Sequence, residues 1–232
     1  MKRVNLLAAG IFVLGQALSG SAVAASVTLV GTSVDFTFDD ALLGLFGPAS
    51  VSGDTLFFTP TAFDVQSLNG AGFALANETM NVRVAAHDGY EFDALNLVER
   101  GDYLLLGTGG MVDVSGQIRA FDVANPLTDI TASIATTAAL TTLGTPTHDW
   151  TATATADVSA LDARAINVTI QNLLLASTTS AGSLAFIEKK FAGLSIETTA
   201  VTPVPEAETW AMMLAGLGLV GWSTLRRRKQ LA

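Results

Sequence analysis

Through the middle of the chain, apolar and polar residues alternate with a period of two. Val34, Phe36 and Phe38 alternate with Ser33, Asp35 and Thr37, and Met80, Val82 and Val84 alternate with Asn81 and Arg83. The same rhythm runs through Met111–Val114, Gln117–Val123 and Arg164–Ile170. Such a period gives each segment one buried and one wet face, as in a half-buried β-strand. Turn-forming groups punctuate the runs: Ser52-Gly-Asp54, Asn69-Gly-Ala-Gly72, Asp88-Gly89, Arg100-Gly-Asp102 and Gly107-Thr-Gly-Gly110. Many short strands with frequent glycine turns predict an all-β fold, an antiparallel, jelly-roll-like β-sandwich over residues 25–197. Leu161–Leu175 is apolar enough to suggest a helix, but Ile166, Val168 and Ile170 favour a strand. The Thr/Ala-rich stretch from Thr128 to Ala156 offers little core volume. It reads as a loosely packed strand pair or a partly exposed excursion.

The two ends break this rhythm. Lys2 and Arg3 precede an apolar run from Leu6 to Leu18 and then small residues through Ala25. This is the three-part layout of a secretory signal peptide over residues 1–24, with Ala22 and Ala24 in an A-x-A cleavage site for signal peptidase. At the other end, Thr198–Val204 reads as an extended Thr/Pro linker, followed by an apolar segment from Trp210 to Leu225 and the basic cluster Arg226, Arg227, Arg228 and Lys229. As a helix the 210–225 segment would cover about 24 Å at ~1.5 Å per residue, short of a hydrocarbon core of ~30 Å. It reads as a single short transmembrane helix, its basic tail 226–229 held in the cytoplasm as a stop signal.

The tail resembles the PEP-CTERM sorting signal. The resemblance rests on Val204, Pro205 and Glu206, the Gly-rich apolar run and the arginine cluster, in that order over residues 205–232. The third motif position is Ala207 where the family has proline. The resemblance implies recognition by exosortase, a membrane-embedded transpeptidase-like protease of Gram-negative bacteria that make exopolysaccharide. It also implies an inner-membrane-anchored precursor whose outer domain goes on to the cell surface or the extracellular matrix. Ser52–Thr61, Gly89-Tyr90, Glu99–Tyr103 and Phe186–Lys190 likewise resemble outer domains found ahead of such tails. That likeness implies location and fold class, not activity.

Charge sharpens the reading of the outer domain. Six of the twelve Lys+Arg lie in the terminal segments, but only Glu206 and Glu208 of the 21 acidic residues do, which leaves six basic and nineteen acidic residues, net −13, from Ala25 to Val204. A domain this acidic repels phosphate backbones, so nucleic acid is not an expected partner. The mean hydropathy of +0.46 owes much to the two ends. With no cysteine, disulfide scaffolds, Cys-ligated metals and thiol nucleophiles are excluded.

Candidate chemistry is sparse. His87 and His148 each neighbour an Asp, with no G-x-S-x-G elbow to supply a nucleophile. Glu91, Asp93 and Asn96 resemble the E-x-D-x-x-E strand of laminarinase-like glycosidases. Asn96 stands where the acid/base carboxylate is required, and it cannot protonate a leaving oxygen. Asp35, Asp39 and Asp40 offer hard oxygen ligands for calcium but lack an organising loop. Tyr90, Tyr103 and Trp150 could stack on sugar rings or simply fill a core. These readings favour a non-enzymatic surface or matrix protein, associated with exopolysaccharide and needing no cofactor. A carbohydrate- or calcium-binding module is the alternative.

Overall fold

The computed structural model describes residues 26–201, 211–220 and 222. Thirteen strands make up the described domain. They are β1 (Ser26–Val30), β2 (Val34–Asp39), β3 (Ala49–Ser52), β4 (Thr55–Phe58), β5 (Asp64–Leu68), β6 (Gly72–Ala86), β7 (Tyr90–Leu106), β8 (Gly110–Asp122), β9 (Asp129–Ser133), β10 (Ala135–Thr136), β11 (His148–Asp157), β12 (Ala165–Thr178) and β13 (Leu184–Ala200). One sheet has the order β1-β2-β6-β12-β8-β9 and the other β10-β11-β7-β13-β4-β3, with β5 also pairing β13. The pairings are antiparallel, as in β12 with β6 and β8 and in β13 with β7.

The alternation seen in the sequence decides which side chains meet between the sheets. From the first sheet come Phe36, Val82, Val84, Ile118, Ile166, Val168 and Ile170, and from the second Leu56, Leu95, Leu97, Ile187 and Leu194, all with no exposed surface. Each such side chain contributes about 1.5–3 kcal/mol through burial. Phe46 sits edge-on to Phe58 and Phe63, with ring centroids 5.5 and 5.8 Å apart. β9 and β10 form one extended run broken at buried Ile134, carrying the chain from the edge of one sheet to the edge of the other. Near the N-terminal hairpin, Asp54 accepts from Ser33 N at 2.8 Å and Ser33 Oγ at 2.7 Å. Burial alone would push its carboxyl up, but these bonds outweigh it and hold the pKa below the ordinary value.

Three sequence expectations change here. Arg100-Gly-Asp102 is not a turn but lies in the middle of β7. Gly101 is needed there because a Cβ would sit 1.9 Å from Glu188 O and 2.9 Å from Trp150 Cε2. The Thr/Ala-rich stretch includes β11, a regular strand paired with β7 from His148 to Asp157. Its alanines Ala152, Ala154 and Ala156 point into the core and its threonines point outward. Finally, Thr198, Thr199 and Ala200 are not linker but pair with Phe92, Glu91 and Tyr90, so the domain extends past 197.

Residues 211–220 form a helix with exposed side chains. Among the described residues, no helix is long and apolar enough to cross a membrane. Apart from Trp222, the rest of the predicted 210–225 span lies outside the described residues, as do the sorting residues Val204, Pro205 and Glu206, the cluster 226–229, and Ala22 and Ala24.

Candidate functional site

Polar side chains meet in the middle of the sandwich, where alternation would place apolar ones. On β13, Ala185, Ile187 and Lys189 share the inward face; on β7, Leu95, Leu97 and Glu99 do; on β12, Ile170, Asn172 and Leu174 do. Glu99 and Asn172 have no exposed surface, and Lys189 only 2%. Lys189 and Glu99 lie on adjacent central strands of one sheet, and Asn172 reaches across from the central strand of the other.

The register explains how two long charged side chains fit. Lys189 pairs with Gly101, which pairs on its other side with Trp150. Glu99 pairs with Ala192 and Ala152. Gly101, Ala152 and Ala192 therefore leave the volume that the Lys and Glu stems occupy. Trp150 covers Gly101 and donates Nε1–H to Glu188 O at 3.1 Å. Ordinary alternation puts Lys190 outside, and a bulge there, between the paired residues Lys189 and Phe191, adds one residue so that Lys189 and Ala192 both face inward.

Three polar contacts close the cluster. Lys189 Nζ donates to Asn172 Oδ1, and Asn172 Nδ2 donates to Glu99 Oε1. Lys189 Nζ lies 2.8 Å from Glu99 Oε2. That oxygen lacks a well-aligned donor, so the contact is an ion pair rather than a directed hydrogen bond. The Phe63 and Phe46 rings lie 4.7 and 5.6 Å from Nζ. Burial among them pushes the Lys189 ammonium's pKa down, against the upward pull of Glu99. On the outer side, Lys190 bonds to Asp102 and lies 2.8 Å from Glu188 Oε1. The Asp102 bond is the main reason its pKa is held up.

The residues singled out from sequence are scattered. Trp150 and Tyr103 are each 3% exposed, because strand parity turns both inward; neither ring is available to stack on a sugar. Tyr103 Oη accepts from Thr142 N at 3.2 Å, and its ring packs on His148 with centroids 5.6 Å apart. Glu91 and Asp93 do share the exposed face of β7, while Asn96 donates to Glu197 and accepts from Thr155. Asp39 caps the short turn that follows it by accepting from Ala41 N, and Asp35 is taken by His87. Among the described residues, no group of three or more His, Asp or Glu could hold a metal ion.

His87 Nε2 lies 2.9 Å from Asp35 Oδ1 at the surface, and this hydrogen bond is the main cause of a raised imidazole pKa. A raised native pKa stabilises the fold below the free imidazole pKa, and the contribution is lost as pH rises through the native value. An NMR titration should place the His87 midpoint above that of free imidazole, and Asp35→Asn should return it. A midpoint that Asp35→Asn leaves in place would remove Asp35 as the cause.

Beyond the last strand, residues 203–229 match the family model for the PEP-CTERM protein-sorting motif. The chain carries a PEP-CTERM sorting motif. It covers Val204, Pro205, Glu206 and the cluster from Arg226 to Lys229, and it supports exosortase-dependent sorting of an exported protein. The PEP-CTERM match is confined to this stretch and leaves the sandwich unassigned. No curated protein matches the chain. One solved structure, "Structure of infectious bursal disease virus Gt strain", aligns over 72% of this chain and 50% of that chain, at 13% identity and a TM-score of 0.24. This chain thus spans half the length of that one, and the likeness is too slight to bear on function.

The Lys189–Glu99–Asn172 cluster was missed from sequence. Its signal was there: each residue interrupts an otherwise apolar face of its strand.

Proposed function

We propose that this chain is a non-enzymatic surface or extracellular-matrix protein whose acidic β-sandwich is the delivered part. Signal peptidase cuts after Ala24. The 210–225 segment holds the precursor in the inner membrane, and exosortase cuts near Pro205-Glu206 to pass the sandwich to the cell surface, among secreted exopolysaccharide. The observation that carries this reading is the PEP-CTERM match at 203–229, which begins just after β13 ends at Ala200. A net charge of −13 on the outer domain suits a hydrated, soluble module. A basic cluster beside a short apolar span resists passage through lipid, which suits a transient anchor.

The test is a fractionation immunoblot in a host that encodes exosortase. Wild type should yield a shortened product outside the inner membrane. Changing Pro205-Glu206 to Ala-Ala should leave a full-length, membrane-bound precursor, and replacing Arg226–Lys229 with serines should mis-sort the chain. Wild type that stays uncut in the membrane fraction would replace sorting with plain anchoring.

A further inference from the structure

We propose that Lys189 and Asn172 become joined by an intramolecular isopeptide bond that ties the two sheets together, with Glu99 carrying the protons. The inference concerns the sandwich itself and does not depend on how the tail is processed.

The geometry supplies each part of such a reaction. The nucleophile, Lys189 Nζ, is in contact with the carboxamide of Asn172. Glu99 faces both reacting nitrogens, with Oε2 2.8 Å from Nζ and Oε1 accepting from Asn172 Nδ2. One carboxyl group therefore spans the nitrogen that must lose protons and the nitrogen that must gain one. The three residues sit on β13, β7 and β12, the central long strands of the two sheets, so the reactants are held in place by the fold. Such placement makes the encounter unimolecular, and the buried setting keeps water from competing.

The step balances without any co-reactant. Lys189 passes one proton to Glu99 Oε2, leaving a neutral amine and a neutral acid. Burial of Lys189 assists this by disfavouring its ammonium form. Nζ then attacks Cγ of Asn172. With the acid proton shifted from Oε2 to Oε1, Glu99 gives it from Oε1 to Nδ2 and takes a second from Nζ at the freed Oε2. The Nζ–Cγ bond forms, the Cγ–Nδ2 bond breaks, and Nδ2 leaves as ammonia. Glu99 ends protonated. Nothing is oxidised or reduced. A buried ion pair is replaced by an amide and a neutral acid, which removes two charges from a low-dielectric site.

As a purely stabilising device the cluster is hard to account for. A buried ion pair is often no better than apolar residues of the same volume. The chain also has no cysteine, so an exported domain of this composition lacks the usual covalent staple.

The experiment is mass spectrometry on the purified full-length chain. Intact mass should fall about 17 Da, one ammonia, below the value for the sequence after N-terminal processing. Proteolysis should yield a branched peptide joining the Asn172 and Lys189 segments, with trypsin unable to cut after Lys189. Glu99→Gln keeps the side-chain volume but removes the proton carrier, and it should restore the full mass and separate peptides. Lys189→Met should do the same. Circular dichroism of each variant guards against loss of fold as the cause. Folded wild-type protein with the full sequence mass, or a Glu99→Gln variant that is folded and still linked, would overturn the proposal.

Discussion

Gly101→Ala should lower the melting temperature of the domain by roughly 6–12 °C, from a loss of about 3 kcal/mol. The added methyl has nowhere to go. It would lie 1.9 Å from Glu188 O, a backbone atom of the paired strand, and 2.9 Å from the Trp150 indole. A flexible side chain could step aside at small cost; a β-ladder cannot. Either β13 separates from β7 at the bulge or Trp150 leaves its place, with loss of its bond to Glu188 O. The strand separation would also displace Lys189, which pairs with Gly101. Thermal melting followed by circular dichroism checks this. A midpoint within a degree or two of wild type would mean that β7 and β13 can part at Gly101 at little cost.

The second large effect concerns the buried charges. Glu99→Leu strands Lys189 in an apolar core with only the Asn172 amide as partner, and removing one member of a buried ion pair costs about 3–5 kcal/mol. Adding Lys189→Met removes the stranded charge. The double variant should therefore be more stable than Glu99→Leu alone by about 3 kcal/mol, although it differs from wild type at one more position. The ordering holds whether or not wild type is cross-linked, because both variants lack the bond. Chemical denaturation of the three proteins measures it. A double variant no more stable than the single would show that Lys189 is neutral or solvated when alone.

The strands were legible because alternation is a direct imprint of a two-sided sheet. Phe36 on β2, Val84 on β6, Ile118 on β8, and Val168 and Ile170 on β12 all fall inward as their spacing requires. The limits arose where a local pattern had a non-local cause. Arg100-Gly-Asp102 has the composition of a turn, yet its glycine answers to Glu188 and Trp150, both distant in sequence. Bulges at Lys190 and at Asp93 shift the register between β7 and β13, and neither leaves a mark that strand-by-strand reading would detect. The buried cluster lay between these cases. Lys189, Glu99 and Asn172 each stand on an apolar face, but only the pairing of β7 with β13 and the packing of β12 against them bring the three together. For Trp150 and Tyr103 the sequence left sugar stacking and core filling both open, and strand parity puts them in the core.

The position of β13 has a mechanical consequence. It runs from Leu184 to Ala200 in the interior of its sheet, paired with β7 on one side and with β4 and β5 on the other, and the tail follows directly from its end. A force applied through the tail would pull β13 along its own axis. The ladders to its neighbours would then be loaded in shear, many hydrogen bonds at once, rather than peeled open from one end. A cross-link at Lys189 would shorten the part of the strand that can slide, leaving only the stretch beyond it to extend. Forced unfolding is governed by the unfolding rate rather than by equilibrium stability, so resistance to tension would depend more on where this strand lies than on the size of the core behind it.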